Sequence, residues 1–200
     1  MKRFFATMGI IILLGGMGMA KDANAAFEKA TFAGGCFWCM ESPFDKLPGV
    51  FSVTVGYTGG RTANPTYEEV STGTTGHAEA IEILFDPKKI GYDKLLDAYW
   101  RSIDPTTKDS QFADHGTQYR TAIFYHSEEQ RELAYASKER FQKTFQLKNP
   151  IVTEIVPAVT FYPAEAYHQH YYKTHSFQYQ LYREGSGRAD FLRKTYGDTH

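Results

Sequence analysis

Cysteine is scarce in this chain, which has only Cys36 and Cys39 among its 200 residues. Small secreted scaffolds that depend on disulfides carry many cysteines. A bond between these two thiols would close a very short loop and would remove little entropy from the unfolded chain. A chain of this length can also fill a hydrophobic core without such a bond. The sequence therefore argues against a purely structural disulfide.

An excess of positive charge is also missing, because 22 Lys and Arg residues face 23 Asp and Glu residues and the formal net charge is −1. Nucleic-acid binding depends on clustered Lys and Arg side chains at the phosphates. The sequence has no basic stripe of that kind. We expect no nucleic-acid partner.

Long apolar runs are absent except at the N-terminus, where two basic residues precede the run from Phe4 to Met19 and Ala23-Asn24-Ala25 follows it. This pattern is typical of an export signal. The run is shorter than the roughly 20 apolar residues that span a bilayer, although an uncleaved anchor remains an alternative. We expect cleavage after Ala25, location in the periplasm and no stable membrane association.

Helix-like and strand-like segments interleave along residues 26–200, with no repeat or linker. We therefore expect a single domain and a monomer, with helices packed on a mixed sheet in a two-layer α/β sandwich of the α+β class. The strand patterns cover 27–35, 50–60, 77–86, 119–127 and 151–161, and the helix patterns cover 36–49, 92–103, 127–146 and 163–174. Two long polar loops cover 61–76 and 104–118, the first with one helical turn near Tyr67.

Glu79 shares one face of its predicted strand with Ile81, Ile83 and Phe85. A carboxylate thus heads an otherwise apolar face. Desolvation raises the pKa of a carboxyl group and keeps a proton on it near neutral pH. Glu79 is therefore a candidate proton donor, and the alternative is an ordinary surface carboxylate at a strand end.

Cys36 follows two glycines at a predicted strand-to-helix junction. Free backbone N–H groups and the positive end of the helix dipole stabilise a thiolate there, and they commonly lower a cysteine pKa from about 8.5 to roughly 3.5–7.5. We predict that Cys36 is a nucleophile. The alternative is that both cysteines are small buried apolar side chains.

Cys39 lies one helical turn after Cys36, where a regular helix separates the two Cβ atoms by about 5–6 Å. A disulfide needs roughly 3.5–4.5 Å, so closing the bond distorts the helix, and a strained bond is easily reduced. The pair fits a nucleophile with its resolving partner, a dithiol exchanger, or a metal clip. A clip needs about four ligands and would have to recruit His168, His170 and His175, which we interpret instead as part of one amphipathic helix. We expect no metal and no cofactor.

A CxxC motif after a strand and at a helix start is also typical of a general dithiol–disulfide oxidoreductase of the cell envelope. The residues between the thiols are Phe37 and Trp38. These bulky side chains suit a small apolar pocket better than a flat face for a protein partner. Both functions remain open on the residues alone.

The motifs AGGCFWC, GYTGG, NPTYEEV, GHAEAIEI, DHGTQYRTAIFY and FYPAEAYHQ span the chain after the export signal. In this combination the sequence resembles the A-type peptide methionine sulfoxide reductases. The resemblance implies reduction of the S epimer of methionine sulfoxide, free or in oxidised proteins. It also implies an elaborated ferredoxin-like α/β fold.

The resemblance further implies a role for each matched residue. Cys36 would attack the sulfoxide sulfur, and Phe37 with Trp38 would line a pocket for the substrate methyl group. A sulfoxide is a poor electrophile until its oxygen is protonated or strongly hydrogen-bonded, so the site needs donors aimed at that oxygen. Those donors would be Glu79, Tyr67 and Tyr119, with Asp114 supporting them from a neighbouring loop.

One departure from the family pattern concerns Cys39. Many relatives have glycine at this position and a resolving cysteine near the C-terminus, but no cysteine follows Cys39 here. If recycling uses a disulfide within the chain, Cys39 must capture a sulfenic acid on Cys36. A thioredoxin-like partner would then reduce the disulfide, and outside the cytoplasm its electrons must come from an exported or membrane-linked thiol donor.

Overall fold

The computed structural model describes residues 27–197, so the predicted export signal lies outside the described residues. The elements in chain order are β1 (Glu28–Gly34), α1 (Phe37–Asp45), β2 (Val50–Thr58), α2 (Tyr67–Ser71), β3 (Ala78–Phe85), α3 (Tyr92–Trp100), β4 (Ser110–Gln111), β5 (Asp114–His115), β6 (Thr121–Tyr125), α4 (Glu128–Thr144), β7 (Glu154–Pro157), β8 (Tyr162–Pro163), α5 (Tyr171–Thr174), α6 (Ser176–Gly185) and α7 (Arg188–Tyr196). Short 3-10 helices cover Thr117–Tyr119 and Ala166–His168. Across this part of the chain no helix has the length and apolar character needed to cross a bilayer.

Six strands form one sheet in the order β7-β6-β1-β3-β2-β8, and β4 with β5 forms a separate hairpin. All neighbours in the large sheet are antiparallel except β6 and β7, which are parallel. The predicted mixed sheet and α+β class are therefore confirmed. Strand β3 lies between β1 and β2, so both of its edges are hydrogen-bonded.

The main core fills the space between one face of the sheet and helices α1, α3 and α4. Phe32 and Ile81 from the sheet meet Tyr99 and Trp100 from α3 in this layer, and all four are fully buried. The polar atoms of the two large aromatics are satisfied, since Tyr99 Oη donates to the Ala33 carbonyl oxygen and Trp100 Nε1 donates to a serine hydroxyl on α4. The large rings thus add apolar burial without an unpaired polar group.

The opposite face of the sheet is built from small side chains. Ala33, Ala78, Ala80 and Ala122 are fully buried there. They pack with the cluster that continues to Phe161 in the segment after β7. Phe124 is the large side chain of this cluster, at 2% exposure, and Val156, Ala158 and Phe161 pack against it.

The helix predicted over 163–174 is wrong. The segment contributes to β8, passes through a 3-10 helix and takes a left-handed conformation at His170, with φ of 53°. The reason lies in Gln169, whose amide side chain accepts from the Val55 N–H at 3.0 Å and donates to the Val55 carbonyl oxygen at 2.9 Å. These two bonds dock the segment on β2 and prevent a continuous helix.

Candidate active site

The junction between β1 and α1 requires glycine at position 35. Gly35 has φ of +82°, and a Cβ there would lie 2.5 Å from Gln111 Cβ and 2.7 Å from Arg188 Nη2. The next residue, Cys36, is the N-cap of α1, with φ of −50° and ψ of 119°. Its carbonyl oxygen accepts from the Cys39 N–H at 3.0 Å, which closes the first turn. The predicted position of Cys36 at a helix start is confirmed.

Both cysteines are free thiols and both are buried, at 7% and 3% exposure. Burial raises the pKa of Cys36 well above its ordinary value, and the hydrogen bond to Cys39 and the charges of Glu79 and Asp114 raise it further. The hydrogen bond from Cys36 lowers the pKa of Cys39. One hydrogen bond between the two thiols therefore shifts their pKa values in opposite directions.

The expected lowering of the Cys36 pKa is thus wrong. The first helical amide is already occupied, since the Phe37 N–H donates to Glu79 Oε2 at 3.0 Å. A carboxyl group, not the thiol, receives this hydrogen bond. The same contact links the backbone next to Cys36 directly to Glu79.

Glu79 lies near the start of β3 and is 3% exposed. Burial raises its pKa to about 8, with further contributions from Asp114 and Cys39, while the Phe37 N–H lowers it. At neutral pH the carboxyl therefore carries a proton. The site therefore has a buried carboxylic acid that is hydrogen-bonded to the residue next to the Cys36 thiol.

Two phenols lie near this carboxyl. Tyr67 begins α2, and its N–H donates to Glu165 Oε1 at 2.8 Å, whereas Tyr119 ends the 3-10 helix before β6. Burial and then the charge of Glu79 raise the pKa of both phenols. Each phenol therefore keeps its proton and can donate a hydrogen bond.

The aromatic side chains after Cys36 form a wall beside it. Phe37 is buried, and its ring centroid is 6.5 Å from that of Tyr67. Trp38 is half-buried and stacks on Tyr171 at 3.9 Å with an interplanar angle of 9°. Tyr182 on α6 meets Trp38 edge-on at 6.2 Å. These rings can bound a small apolar group.

Trp38 is fixed by a hydrogen bond as well as by stacking. Its Nε1 donates to His168 Nδ1 at 3.1 Å, so the proton of a neutral His168 is on Nε2. Burial lowers the pKa of His168, which favours the neutral ring. His168 Nε2 lies 4.0 Å from Glu165 Oε2, and Glu165 also accepts from the Tyr57 hydroxyl at 2.8 Å.

Asp114 lies in β5 and accepts a hydrogen bond from the Tyr182 hydroxyl. Arg188 on α7 is buried and donates to the carbonyl oxygens of Gly34, at 2.9 Å, and Ser102, at 2.7 Å. The C-terminal helices therefore hold both the loop that carries Asp114 and the strand end that precedes Cys36.

Comparison with known proteins identifies the family of this chain. The family model described as "Peptide methionine sulfoxide reductase" matches residues 28–200. The chain belongs to the peptide methionine sulfoxide reductase family. Peptide methionine sulfoxide reductase MsrA of Bacillus pumilus is 57% identical over 171 residues, which cover 86% of this chain and 96% of that protein.

Solved structures of the reductase family share the fold. Reduced Mxr1 from Saccharomyces cerevisiae is similar with a TM-score of 0.72 and 35% identity, over 76% of this chain and 88% of that one. Mxr1 in complex with Trx2 is similar with a TM-score of 0.52 and 27% identity, over 77% of this chain and 91% of that one. The A-type resemblance inferred from the motifs, and with it an enzyme, is confirmed.

The structure brings the predicted site residues of this reductase together from separate elements. The nucleophile candidate is the N-cap of α1 and its neighbours lie on that helix. The acid comes from β3, one phenol from α2, and the other phenol with Asp114 from the segment before β6. Two of the histidines of the metal-clip alternative have other partners here, since Trp38 Nε1 donates to His168 Nδ1 and His170 Nδ1 lies 2.9 Å from Glu41 Oε1.

Several residues at this reductase site were missed by the sequence analysis. They are His168, Glu165, Tyr182 and Arg188. The first two lie inside the motif FYPAEAYHQ, so a signal for them existed in the sequence. The last two lie on α6 and α7, for which no element was predicted, and no local pattern marks them.

Proposed function

We propose that this chain reduces the S epimer of methionine sulfoxide, free or in oxidised proteins, to methionine. The observation that carries the proposal is the contact between the Phe37 N–H and the buried, protonated Glu79, which joins an acid group to the backbone beside Cys36. A sulfoxide needs an acid at its oxygen and a nucleophile at its sulfur at the same time. In this site Glu79 is the acid and Cys36 is the nucleophile, and only Phe37 connects them.

In the first step the sulfoxide oxygen accepts hydrogen bonds from Glu79 and from the phenols of Tyr67 and Tyr119. Proton donation to that oxygen makes the sulfur electrophilic, and Cys36 attacks it. Oxygen is transferred to Cys36, so that a thiol and a sulfoxide give a sulfenic acid and a thioether. Because burial raises the pKa of Cys36, ionisation of this thiol becomes part of the barrier.

In the second step Cys39 attacks the sulfenic acid of Cys36, and the products are a disulfide and water. The two thiols are already hydrogen-bonded, and the pKa of Cys39 is lowered by that bond. Cys36 has non-helical backbone angles as the N-cap. Its side chain is therefore not held at the spacing of a regular helix, which reduces the distortion that the disulfide requires.

Selection of one epimer follows from three fixed contacts to a tetrahedral sulfur. The donors fix the oxygen, Phe37 and Trp38 enclose the methyl group, and Cys36 approaches the sulfur. Exchanging oxygen and methyl at the sulfur would place a polar group against the rings and would leave buried donors unpaired. The choice of the S epimer rests on membership of the A type.

A thioredoxin-like protein is the proposed electron donor. The similarity to Mxr1, whose structure includes a complex with Trx2, supports this proposal. We also propose that the chain acts outside the cytoplasm after cleavage of the export signal after Ala25. The family match begins at residue 28, so the segment proposed as the export signal lies outside the matched residues. The intact mass of the protein from a periplasmic extract tests this point, and a mass that retains residues 1–25 contradicts it.

The decisive test of the activity is turnover of separated S and R epimers of a methionine sulfoxide peptide with dithiothreitol. We expect reduction of the S epimer by wild type and none by Cys36→Ser. Retained turnover in that variant, or equal use of both epimers, contradicts the proposal. Insulin reduction without sulfoxide reduction would favour a dithiol exchanger instead.

A further inference from the structure

A cavity of about 520 Å³ includes Cys39 but not Cys36 in its lining. The other lining residues come from α1, α3, α6, α7 and the residues that directly follow α1 and α3. Of the residues that take a chemical step in the proposed cycle, only Cys39 lines the cavity, although Arg188, which bonds to the Gly34 carbonyl oxygen, lines it too. The reason is helical spacing, because Cys39, Ser42 and Pro43 share one face of α1 at i, i+3 and i+4, and the C-cap Lys46 continues that face at i+7. Cys39 therefore adjoins a second space that Cys36 does not reach.

The lining of this cavity is strongly basic. It holds four cationic side chains and one carboxylate, Glu184. Within residues 27–197 none of these cations makes an ion pair. The buried Arg188 bonds only to neutral acceptors, the carbonyl oxygens of Gly34 and Ser102 and the Met40 sulfur. The cations are Lys46, Arg101, Arg183 and Arg188.

We propose that this cavity admits a small carboxylate-bearing thiol that reduces the Cys36–Cys39 disulfide by attacking Cys39. The proposal rests on the reductase cycle above and names a second reductant class for it. The volume is within the range of about 300–1,000 Å³ that small-molecule sites occupy, and it is far too small for a protein domain. Uncompensated cations in a cleft concentrate anions and stabilise a thiolate at its mouth.

The chemistry balances with two thiols for each disulfide. The thiolate of the first small thiol attacks the Cys39 sulfur, the bond between Cys36 and Cys39 breaks, and Cys36 leaves as a thiolate that takes up the released proton. A second thiolate then attacks the outer sulfur of the mixed disulfide on Cys39. The products are a symmetrical small disulfide and Cys39 as a thiol, so two electrons enter the protein.

The test measures reduction of the preformed disulfide by thiols of different charge. The anionic probes are glutathione and 3-mercaptopropionate, 2-mercaptoethanol is neutral, and cysteamine is cationic. Rates come from thiol trapping and intact mass for wild type, Lys46→Gln and Arg183→Gln, with Lys94→Gln as the matched control. Lys94 is exposed on α3 and does not line the cavity.

We expect each cavity variant to slow the anionic thiols about two- to fivefold, the range for a single exposed ion pair. The rate with 2-mercaptoethanol should stay unchanged, the rate with cysteamine should not fall, and Lys94→Gln should match wild type throughout. Trapped glutathione should be found on Cys39. Equal loss with all thiols, no loss with the anionic ones, or an adduct on Cys36 overturns the proposal.

Failure of this proposal is distinguishable from failure of the reductase cycle. Methionine formed in one turnover by prereduced protein does not require any reductant. A normal single turnover with no charge preference among thiols refutes the cavity proposal alone. Absence of methionine from that single turnover refutes the proposed function. Thermal melts of Lys46→Gln and Arg183→Gln, both on partly or fully exposed side chains, check that the fold is retained.

Discussion

Replacing Glu79 by glutamine should separate the stability of this protein from its activity. Glutamine has the same shape, and its amide oxygen can still accept the hydrogen bond from the Phe37 N–H. It cannot ionise and cannot deliver a proton. The variant therefore removes the acid chemistry of the site and leaves its packing in place.

The magnitude follows from the raised pKa of Glu79, which is about 8 in the folded protein against an ordinary value of 4.5. Below pH 4.5 both the folded and the unfolded chain hold the proton. Between pH 4.5 and 8 only the folded chain holds it, so the free energy of unfolding falls by about 1.4 kcal/mol per pH unit. Above pH 8 both chains have lost the proton, and the fall stops.

Glu79→Gln has no such dependence, so it should be more stable than wild type by about 3 kcal/mol at pH 7 and about 5 kcal/mol above pH 8. The two proteins should be nearly equal below pH 4.5. Urea denaturation from pH 4 to 9 measures this difference. A difference that does not change with pH, or a variant less stable than wild type at pH 7, would refute the buried-acid argument.

The same variant should lose activity while it gains stability. General acid catalysis typically contributes about 10²–10⁴-fold, so single-turnover reduction should slow by roughly 100-fold or more. Wild-type single-turnover rates should lose their acid-dependent component as the pH rises through about 8, whereas Glu79→Gln should show no such loss. An unchanged single-turnover rate in the variant would contradict proton donation.

Three further changes test other parts of the site. Cys39→Ser should keep one turnover of sulfoxide but lose cycling with a thioredoxin-type reductant. Mass spectrometry of oxidised wild type should find a disulfide between Cys36 and Cys39. Full steady-state cycling by the variant would contradict the resolving role of Cys39. Tyr182→Phe should lower the free energy of unfolding by about 1 kcal/mol through loss of one hydrogen bond, measured in urea against Tyr135→Phe at an exposed position; equal stabilities would discount that bond. Gly35→Ala should cost more than about 2 kcal/mol, since φ is +82° and the new Cβ meets a neighbouring side chain at 2.5 Å; a melting temperature equal to that of wild type would disprove this strain.

The sequence predicted those parts of the fold where local patterns and tertiary packing agree. Alternation around Glu79 predicted a buried strand face, and the side chains of Glu79, Ile81, Ile83 and Phe85 are all buried. The prediction failed where a tertiary contact decides the backbone. Gln169 binds β2 and interrupts a segment whose composition favours a helix, and nothing local in the sequence indicates that contact.

The pKa of Cys36 could not be predicted for a related reason. A helix start lowers a thiol pKa only if its first amides are free for the thiolate. Here Glu79, 42 residues away in sequence, accepts from the first amide. The C-terminal contacts of Tyr182 and Arg188 are equally long-range, so no local pattern in the sequence indicates them.

The position of β3 between β1 and β2 affects which parts of this site open in local fluctuations. Amide groups on a strand paired along both edges exchange with solvent only in the largest openings of a protein, while loops and short helices open far more often. Glu79 is on that strand, but Tyr119 and Asp114 are on a 3-10 helix and a two-residue strand. Deuterium uptake should therefore be much faster at the backbone amides of Asp114 and Tyr119 than at the amide of Glu79. An opening limited to the segment of Asp114 and Tyr119 would then admit a substrate while the proton donor Glu79 stays in place.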